Sequence, residues 1–271
     1  MNGSLIEVER PDGRIAVEVG GRGPLVLCVP GMGENRASFR HLVPLLADAG
    51  YRVAVMDLRG HGDSSAEFSS YDDPATAGDL LAVVDALGGA PATIIGNSMG
   101  AAAAVIAAAD RPESIAKLVL IGPFVRDHGP AGLRTLMRLM LLRPWGPAVW
   151  RGYASSLFGG IRPDDHEEQF GHTMALLRRP GRWRAFQSTV REVTHAPAEA
   201  ALPRVHAPAL VIMGSRDRDF PDPEAEARWI ADALQGEHRM IPGAGHYPMA
   251  EQADAVFAEL RDFLSKEASH G

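Results

Sequence analysis

Apolar residues fall in two patterns that alternate along the chain: short continuous runs, and longer stretches at helical spacing. Residues 5–9 and 15–19 flank Pro11-Asp12-Gly13 and predict an antiparallel hairpin. After a second turn at 20–24, Leu25-Val26-Leu27-Cys28-Val29 has no polar break, as expected of a strand covered on both faces. A helix over 38–49 ended by Gly50 follows, then a strand over 51–58, a helix over 74–87, a strand over 92–95, a helix over 99–109 and a strand over 117–122. Asp73 is placed to cap the helix that opens at Pro74, and Gly88-Gly89 to stop it. From 123 to 205 no strand pattern recurs. Helical spacing there is broken by Pro130, Pro144, Pro147, Pro163, Pro180 and Pro197, and three of the four tryptophans, Trp145, Trp150 and Trp183, fall in this block. The alternation resumes with a strand over 210–213, a helix over 223–234 capped by Asp222, a strand over 237–241 and a closing helix over 248–265.

This rhythm implies an α/β fold: a mostly parallel, doubly wound sheet of about eight strands, with an all-helical cap inserted after strand six. The core domain is expected over 1–122 and 206–271 and the helical cap, or lid, over 123–205. The insertion leaves the sheet at its C-terminal edge, where α/β proteins bind ligands. A chain of 271 residues can bury a substantial core in one such domain. The net charge of −7 supplies no basic field for nucleic acid and argues against stable attachment to an anionic membrane. The single cysteine, Cys28, excludes an intrachain disulfide and a cysteine-built zinc cage; its apolar setting reads as a small buried hydrophobe. No cationic stretch followed by an apolar one opens the sequence, and no run matches a membrane span, so a cytoplasmic protein is the expectation.

Between the strand at 92–95 and the helix at 99–109 stands Gly96-Asn97-Ser98-Met99-Gly100. Small residues suit any turn, but a serine between glycines at this junction has the form of a nucleophile elbow. The serine must stand above the sheet on a sharp turn, and side chains two residues away on either side would crowd the neighbouring strands. The start of the helix offers backbone N–H groups and its positive end to a reacting carbonyl. A serine hydroxyl needs a base to become a nucleophile. His246 lies in the glycine-flanked loop after the last strand and can return an imidazole to the sheet edge, although any lone loop histidine can simply face solvent. The base in turn needs an orienting carboxylate. Asp217 follows Gly214 at the end of the strand over 210–213 and is the candidate, with Asp219 as runner-up. The bland alternative makes Asp217 a solvated partner of Arg216 or Arg218, worth little at a surface.

The order Ser98, Asp217, His246 resembles that of α/β-hydrolase fold enzymes, over nearly the whole chain. Pro30-Gly31-Met32-Gly33 resembles the family's His-Gly-x oxyanion loop, and Asp57-Leu58-Arg59-Gly60-His61-Gly62-Asp63-Ser64 its D-x-R-G-H-G-x-S turn. The resemblance implies a serine hydrolase that needs no metal or organic cofactor, with the backbone N–H groups of Met32 and Met99 as oxyanion hole and the side chains of both lining the pocket. It assigns Arg59 and His61 to holding their turn. Pro30 where many relatives have histidine, and Ala101 where several have a third glycine, depart from the pattern without removing a reacting group.

The implied reaction is two-step acyl transfer through an acyl-enzyme, with a carboxylic ester or lactone of a small hydrophobic molecule as substrate. Leu133, Leu136, Met137, Leu139, Met140, Leu141, Trp145 and Trp150 form an apolar stripe interrupted by Arg134, Arg138 and Arg143. Such a stripe mostly packs on the body, with a minority facing a ligand. Gly31, Met137, Trp145, Trp183 and Tyr247 are the candidate pocket residues. GNSMG also resembles the elbow of carbon–carbon hydrolases of ring-cleavage pathways, and a cofactor-free perhydrolase would use the same residues. A hydrolase-like binding protein for a small hydrophobic ligand is the alternative of another class. A monomer or homodimer is expected.

Overall fold

The computed structural model describes residues 3–127 and 131–265, with side chains from 135 onward in the second segment. Pro130 and the side chains of Leu133 and Arg134 lie outside the described residues. The described residues form eight strands: β1 (Ser4–Arg10), β2 (Gly13–Gly21), β3 (Leu25–Val29), β4 (Arg52–Met56), β5 (Ala92–Asn97), β6 (Ile115–Ile121), β7 (Ala209–Gly214) and β8 (Glu237–Ile241). They make one sheet in the order β1-β2-β4-β3-β5-β6-β7-β8. The β1–β2 hairpin and the β2–β4 pair are antiparallel, and every pair from β4 to β8 is parallel.

The helices are α1 (Leu42–Asp48), α2 (Asp73–Ala86), α3 (Met99–Asp110), α4 (Ala131–Met140), α5 (Gly146–Ser156), α6 (His166–Leu176), α7 (Arg182–Glu192), α8 (Ala196–Ala201), α9 (Pro223–Ala233), α10 (Pro248–Glu251) and α11 (Ala253–Ser265). They cover both faces of the sheet, and strand alternation decides which residue faces which layer. In β3, Leu25, Leu27 and Val29 join the core shared with α2, α3 and α9. Val26 and Cys28 point the other way, into the layer of α1 and α11. That double burial is why the run carries no polar residue.

Three local readings are refined. The helix expected over 38–49 opens as a 3₁₀ turn at Arg36–Phe39, capped by Asn35, whose Oδ1 accepts from Ala37 N–H at 2.9 Å, and α1 begins only at Leu42. Asp72, not Asp73, caps α2, its Oδ1 accepting from Ala75 N–H at 2.9 Å. Asp73 sits inside the first turn, where its buried Oδ2 pairs with His195 Nδ1 at 2.7 Å. The closing helix is broken at Gln252 into α10 and α11.

Between β6 and β7 the described residues form helices and no strand. Helices α4 to α7 enclose their own cluster of Leu141, Trp150, Phe170, Trp183 and Phe186. The packing returns to the body at α8, where Ala198 and Ala201 enter the α2–α3 core. The turn after β4 is tied by charge: buried Arg59 donates through Nε and Nη2 to both oxygens of Asp79 on α2, at 2.8 and 2.7 Å. Arg10 of β1 adds a 2.8 Å bond to Asp79 Oδ1. His61 is buried, its Nδ1 donating to Arg59 O at 2.9 Å, and burial pushes its imidazole down to about 4, so it stays neutral. Both residues hold the turn.

Candidate active site

Ser98 stands between β5 and α3 with φ 55° and ψ −121°, a left-handed conformation costly for a residue with a Cβ. A Cβ on Gly96 would lie 2.5 Å from Gly100 O and 2.7 Å from Ala101 Cα, so the crowding at 96 comes from the start of α3 rather than from a neighbouring strand. At Gly100 it does come from a strand end, with Val29 O at 2.4 Å and Pro30 O at 2.6 Å. The two glycines let α3 press against the ends of β5 and β3, which forces the sharp turn. Asn97 and Met99 are buried and Ser98 is half-buried, leaving the serine as the accessible member of the three.

The loop after β3 passes over the serine. A Cβ on Gly31 would meet Ser98 Cβ at 2.8 Å and Oγ at 3.4 Å, and the turn is closed by Glu34 N–H to Gly31 O at 3.2 Å. This brings Gly31 against the serine, and Met99 directly after the serine gives α3 its first amide. The first N–H groups of a helix have no partner inside it and are free to receive an anion. The methionine side chains differ from expectation. Met99 is packed in the core, while Met32 is half-buried and spans that core and the α4–α7 cluster.

His246 is buried, and its Nδ1–H donates to Asp217 Oδ2 at 2.7 Å. Asp217 is itself buried, with Oδ1 accepting the Asp219 N–H at 3.0 Å. Asp219 Oδ2 lies 3.7 Å from His246 Nδ1, while its other oxygen accepts from the Tyr153 hydroxyl. The structure thus brings both aspartates to the histidine and gives the closer hydrogen bond to Asp217. Burial alone would lower the imidazole pKa, but the charge and hydrogen bond of Asp217, then the charges of Asp219 and Glu34, lift it to about 9. Burial raises the carboxyl of Asp219 above its usual range, against the pull of His246 and Tyr153. These three residues are the one group of carboxylate and imidazole ligands drawn within 4.8 Å among the described residues. Their facing atoms are engaged with one another and with Tyr153.

Ser98 and His246 are both anchored near the end of β6. Ser98 N–H donates to Ile121 O at 3.0 Å, and a Cβ on Gly122 would sit 3.1 Å from His246 Nδ1. The Phe124 ring packs edgewise on the imidazole, centroids 5.8 Å apart. Asn97 Nδ2 donates to Ile121 O at 3.0 Å and to His246 O at 3.2 Å, fastening the serine's neighbour to the histidine's backbone. Its place beside Ser98 is the only sequence signal for that role.

The histidine loop is held from below by Glu251. This buried carboxylate accepts from Gly245 N–H at 3.0 and 3.1 Å, from Gly159 N–H at 2.8 Å and from Tyr247 N–H at 3.3 Å. His246 N–H donates to Leu157 O at 2.8 Å, so the chain after α5 also fixes the loop. Glu34, further along the loop after β3, accepts from Ser38 Oγ at 2.7 Å. Burial of its carboxyl pushes the pKa up to about 7, opposed by Ser38 and by the nearby His246. Sequence reasoning missed Glu34, whose neighbour His246 comes from a distant segment, and Glu251, which meets Gly245 and Tyr247 only because the closing helix breaks at Gln252.

Of the candidate pocket residues, Gly31 lies over Ser98, and Tyr247 packs edgewise on His246 with centroids 5.1 Å apart. Trp183 is buried beside Phe186 at 5.1 Å, and Met137 is half-buried on α4. Trp145 is 53% exposed on the turn before α5. The tryptophan against the loop after β3 is Trp150, whose ring occupies the space a side chain at Gly33 would need.

Residues 24–253 match the family model described as alpha/beta hydrolase fold. A pimeloyl-[acyl-carrier protein] methyl ester esterase of Stenotrophomonas maltophilia is 30% identical over 259 residues, which cover 92% of this chain and 96% of its own. Among solved structures, a thermophilic esterase from Thermogutta terrifontis is 26% identical with a TM-score of 0.82, covering 98% of this chain and 100% of that one. An enol-lactonase from Burkholderia xenovorans shares the fold with a TM-score of 0.79 at 23% identity, covering 94% of this chain and 97% of its own.

Proposed function

The chain belongs to the alpha/beta hydrolase fold family, and from that premise we propose that it is a serine hydrolase that cleaves a carboxylic ester or lactone of a small hydrophobic substrate. The observation that carries this reading is the 2.7 Å bond between His246 and Asp217, set beside a serine held at φ 55°. With its Nδ1–H committed to Asp217, the imidazole turns a lone pair at Nε2 toward proton transfer.

His246 Nε2 takes the Ser98 hydroxyl proton as Oγ attacks the substrate carbonyl. The tetrahedral oxyanion is received by the amides of Met32 and Met99, each donor worth roughly 3–4 kcal/mol of barrier in acyl transfer. Collapse breaks the bond to the leaving alcohol, which departs with the proton from His246. Water, deprotonated by the same nitrogen, then releases the acid and restores Ser98. The α4–α7 helices act as a cap whose aromatic cluster, with Trp150 against the oxyanion loop, supplies the apolar wall. The relatives named as methyl ester esterases favour an acyl chain with a small alcohol as leaving group. The likeness to an enol-lactonase keeps a cyclic ester within the class.

The test is labelling by a fluorophosphonate together with turnover of p-nitrophenyl esters, methyl esters and lactones. We expect label on Ser98, none on Ser98→Ala, and a fall in kcat on the order of 10⁶ in that variant. An intact protein that neither labels nor turns over any activated ester sinks the hydrolase reading and leaves a ligand-binding protein.

A further inference from the structure

Among the described residues, seven large apolar side chains are strongly exposed, and five of them follow one another: Leu136, Leu139, Met140, Leu142 and Trp145. Leu136, Leu139 and Met140 stand at i, i+3 and i+4 on α4 and so share one face of the helix. Trp145 continues the ridge, its indole N–H donating to Leu139 O at 3.3 Å. Leu139 is 55% exposed and Trp145 53%, a concentration of apolar surface that a soluble domain ordinarily buries.

The ridge is flanked by positive charge. A groove of about 220 Å³ between α4 and α7 is lined by Arg138, Arg184 and Arg191, with Gln187 and Ser188. Arg191 is shared with Glu192 at 2.8 Å, and Arg138 donates to the Arg191 carbonyl. The segment 123–205 carries twelve arginines and no lysine against seven carboxylates, whereas the rest of the chain has fifteen basic residues against twenty-seven acidic ones. The positive surplus is therefore confined to the inserted helices, although the whole chain is acidic.

We propose that this ridge seats the protein reversibly on an anionic phospholipid surface, with Leu136, Leu139, Leu142 and Trp145 entering the headgroup boundary and Arg138, Arg184 and Arg191 meeting the phosphates. Exposed leucines and a tryptophan beside a row of arginines have the composition of an interfacial surface. The contact is peripheral: among the described residues no helix is long and apolar enough to cross a membrane. A second copy of the chain is a poor occupant, because twofold pairing of this face opposes arginine to arginine. Charge complementarity to an acidic protein would account for the arginines alone and not for the exposed leucines and tryptophan beside them.

The experiment is flotation of the full chain with vesicles of phosphatidylcholine alone or mixed equally with phosphatidylglycerol, at low and high salt. It is independent of the hydrolytic reading, and the thermal unfolding midpoint serves as the fold check. We expect partitioning onto the mixed vesicles only, reduced about tenfold or more by salt, by Arg184→Glu and by Leu139→Glu. If either reversal unfolds the protein, Arg184→Gln and Leu139→Ser carry the test with a smaller loss in the same direction. The proposal is overturned if mixed vesicles capture nothing at low salt, or if the variants bind as the parent does. It is equally overturned if the face instead mediates a concentration-dependent dimer, or capture of an acidic protein, without vesicle binding.

Discussion

His246 sits between two carboxylates of unequal closeness, and its titration reports both. Its pKa is lifted from the ordinary 6.5 to about 9 by Asp217, then by Asp219 and Glu34, against the cost of burial. A raised folded pKa means that the ion pair's stabilisation is complete below the unfolded value of 6.5 and is lost as pH rises through about 9. The proposed mechanism needs the opposite form, the neutral imidazole. The ascending limb of kcat/KM should therefore lie well above the ordinary imidazole range. Asp219→Asn keeps an acceptor for Tyr153 but removes the charge 3.7 Å from Nδ1, so that limb should move down by about one pH unit. Superimposable profiles for the two proteins would refute the electrostatic role of Asp219. At this scale the placing of Ser98, Asp217 and His246 on loops after strand ends is legible because each follows a strand and a glycine in an ordered motif. Asn97 is not, since its partner lies 149 residues away and nothing local encodes that meeting.

Elements carry the next level of control, and Glu251 shows how. It stands in α10, the short helix cut off by the break at Gln252, which the continuous apolar spacing over 248–265 hides. The break turns its carboxylate back to receive N–H groups from Gly245 and Tyr247 on one side and from Gly159 on the other. The histidine loop and the exit of α5 thereby share one acceptor. In Glu251→Gln one oxygen becomes an NH₂ group facing those donors, so at least one buried N–H loses its partner at a cost of about 1–3 kcal/mol. The expected result is a lower unfolding midpoint together with a fall in kcat and little change in KM, because His246 loosens while the pocket persists. Unchanged kcat with lowered stability would show that Glu251 serves the fold alone. Strands were readable here because double burial imposes uninterrupted apolar runs. Caps were less so: Asp72 and Asp73 are chemically alike, and only the turn geometry assigns one to capping and the other to His195.

Across the whole molecule, the antiparallel β1–β2 hairpin, the turn after β4 and the helix layer are joined by Asp79. The hairpin lies at the edge of the sheet, with β2 alone pairing to β4. Arg10 reaches across from β1 and Arg59 from the turn, both ending on one fully buried carboxylate. The sequence shows Arg59 in a recognisable turn but not the partner, which becomes definite only when α2 docks. A buried charge group of this kind adds little if compared with an apolar replacement of the same volume, but removing one member strands the rest. Asp79→Ala should leave Arg59 buried without its counter-charge and cost roughly 3–5 kcal/mol, lowering the unfolding midpoint by about 10 °C in a chain of this size. Arg10→Ala should cost far less, because its guanidinium is 24% exposed and Arg59 still satisfies both oxygens. Urea titration of the two variants separates these outcomes: equal losses would mean that the hairpin contact, rather than the charge left on Arg59, sets the stability of this corner.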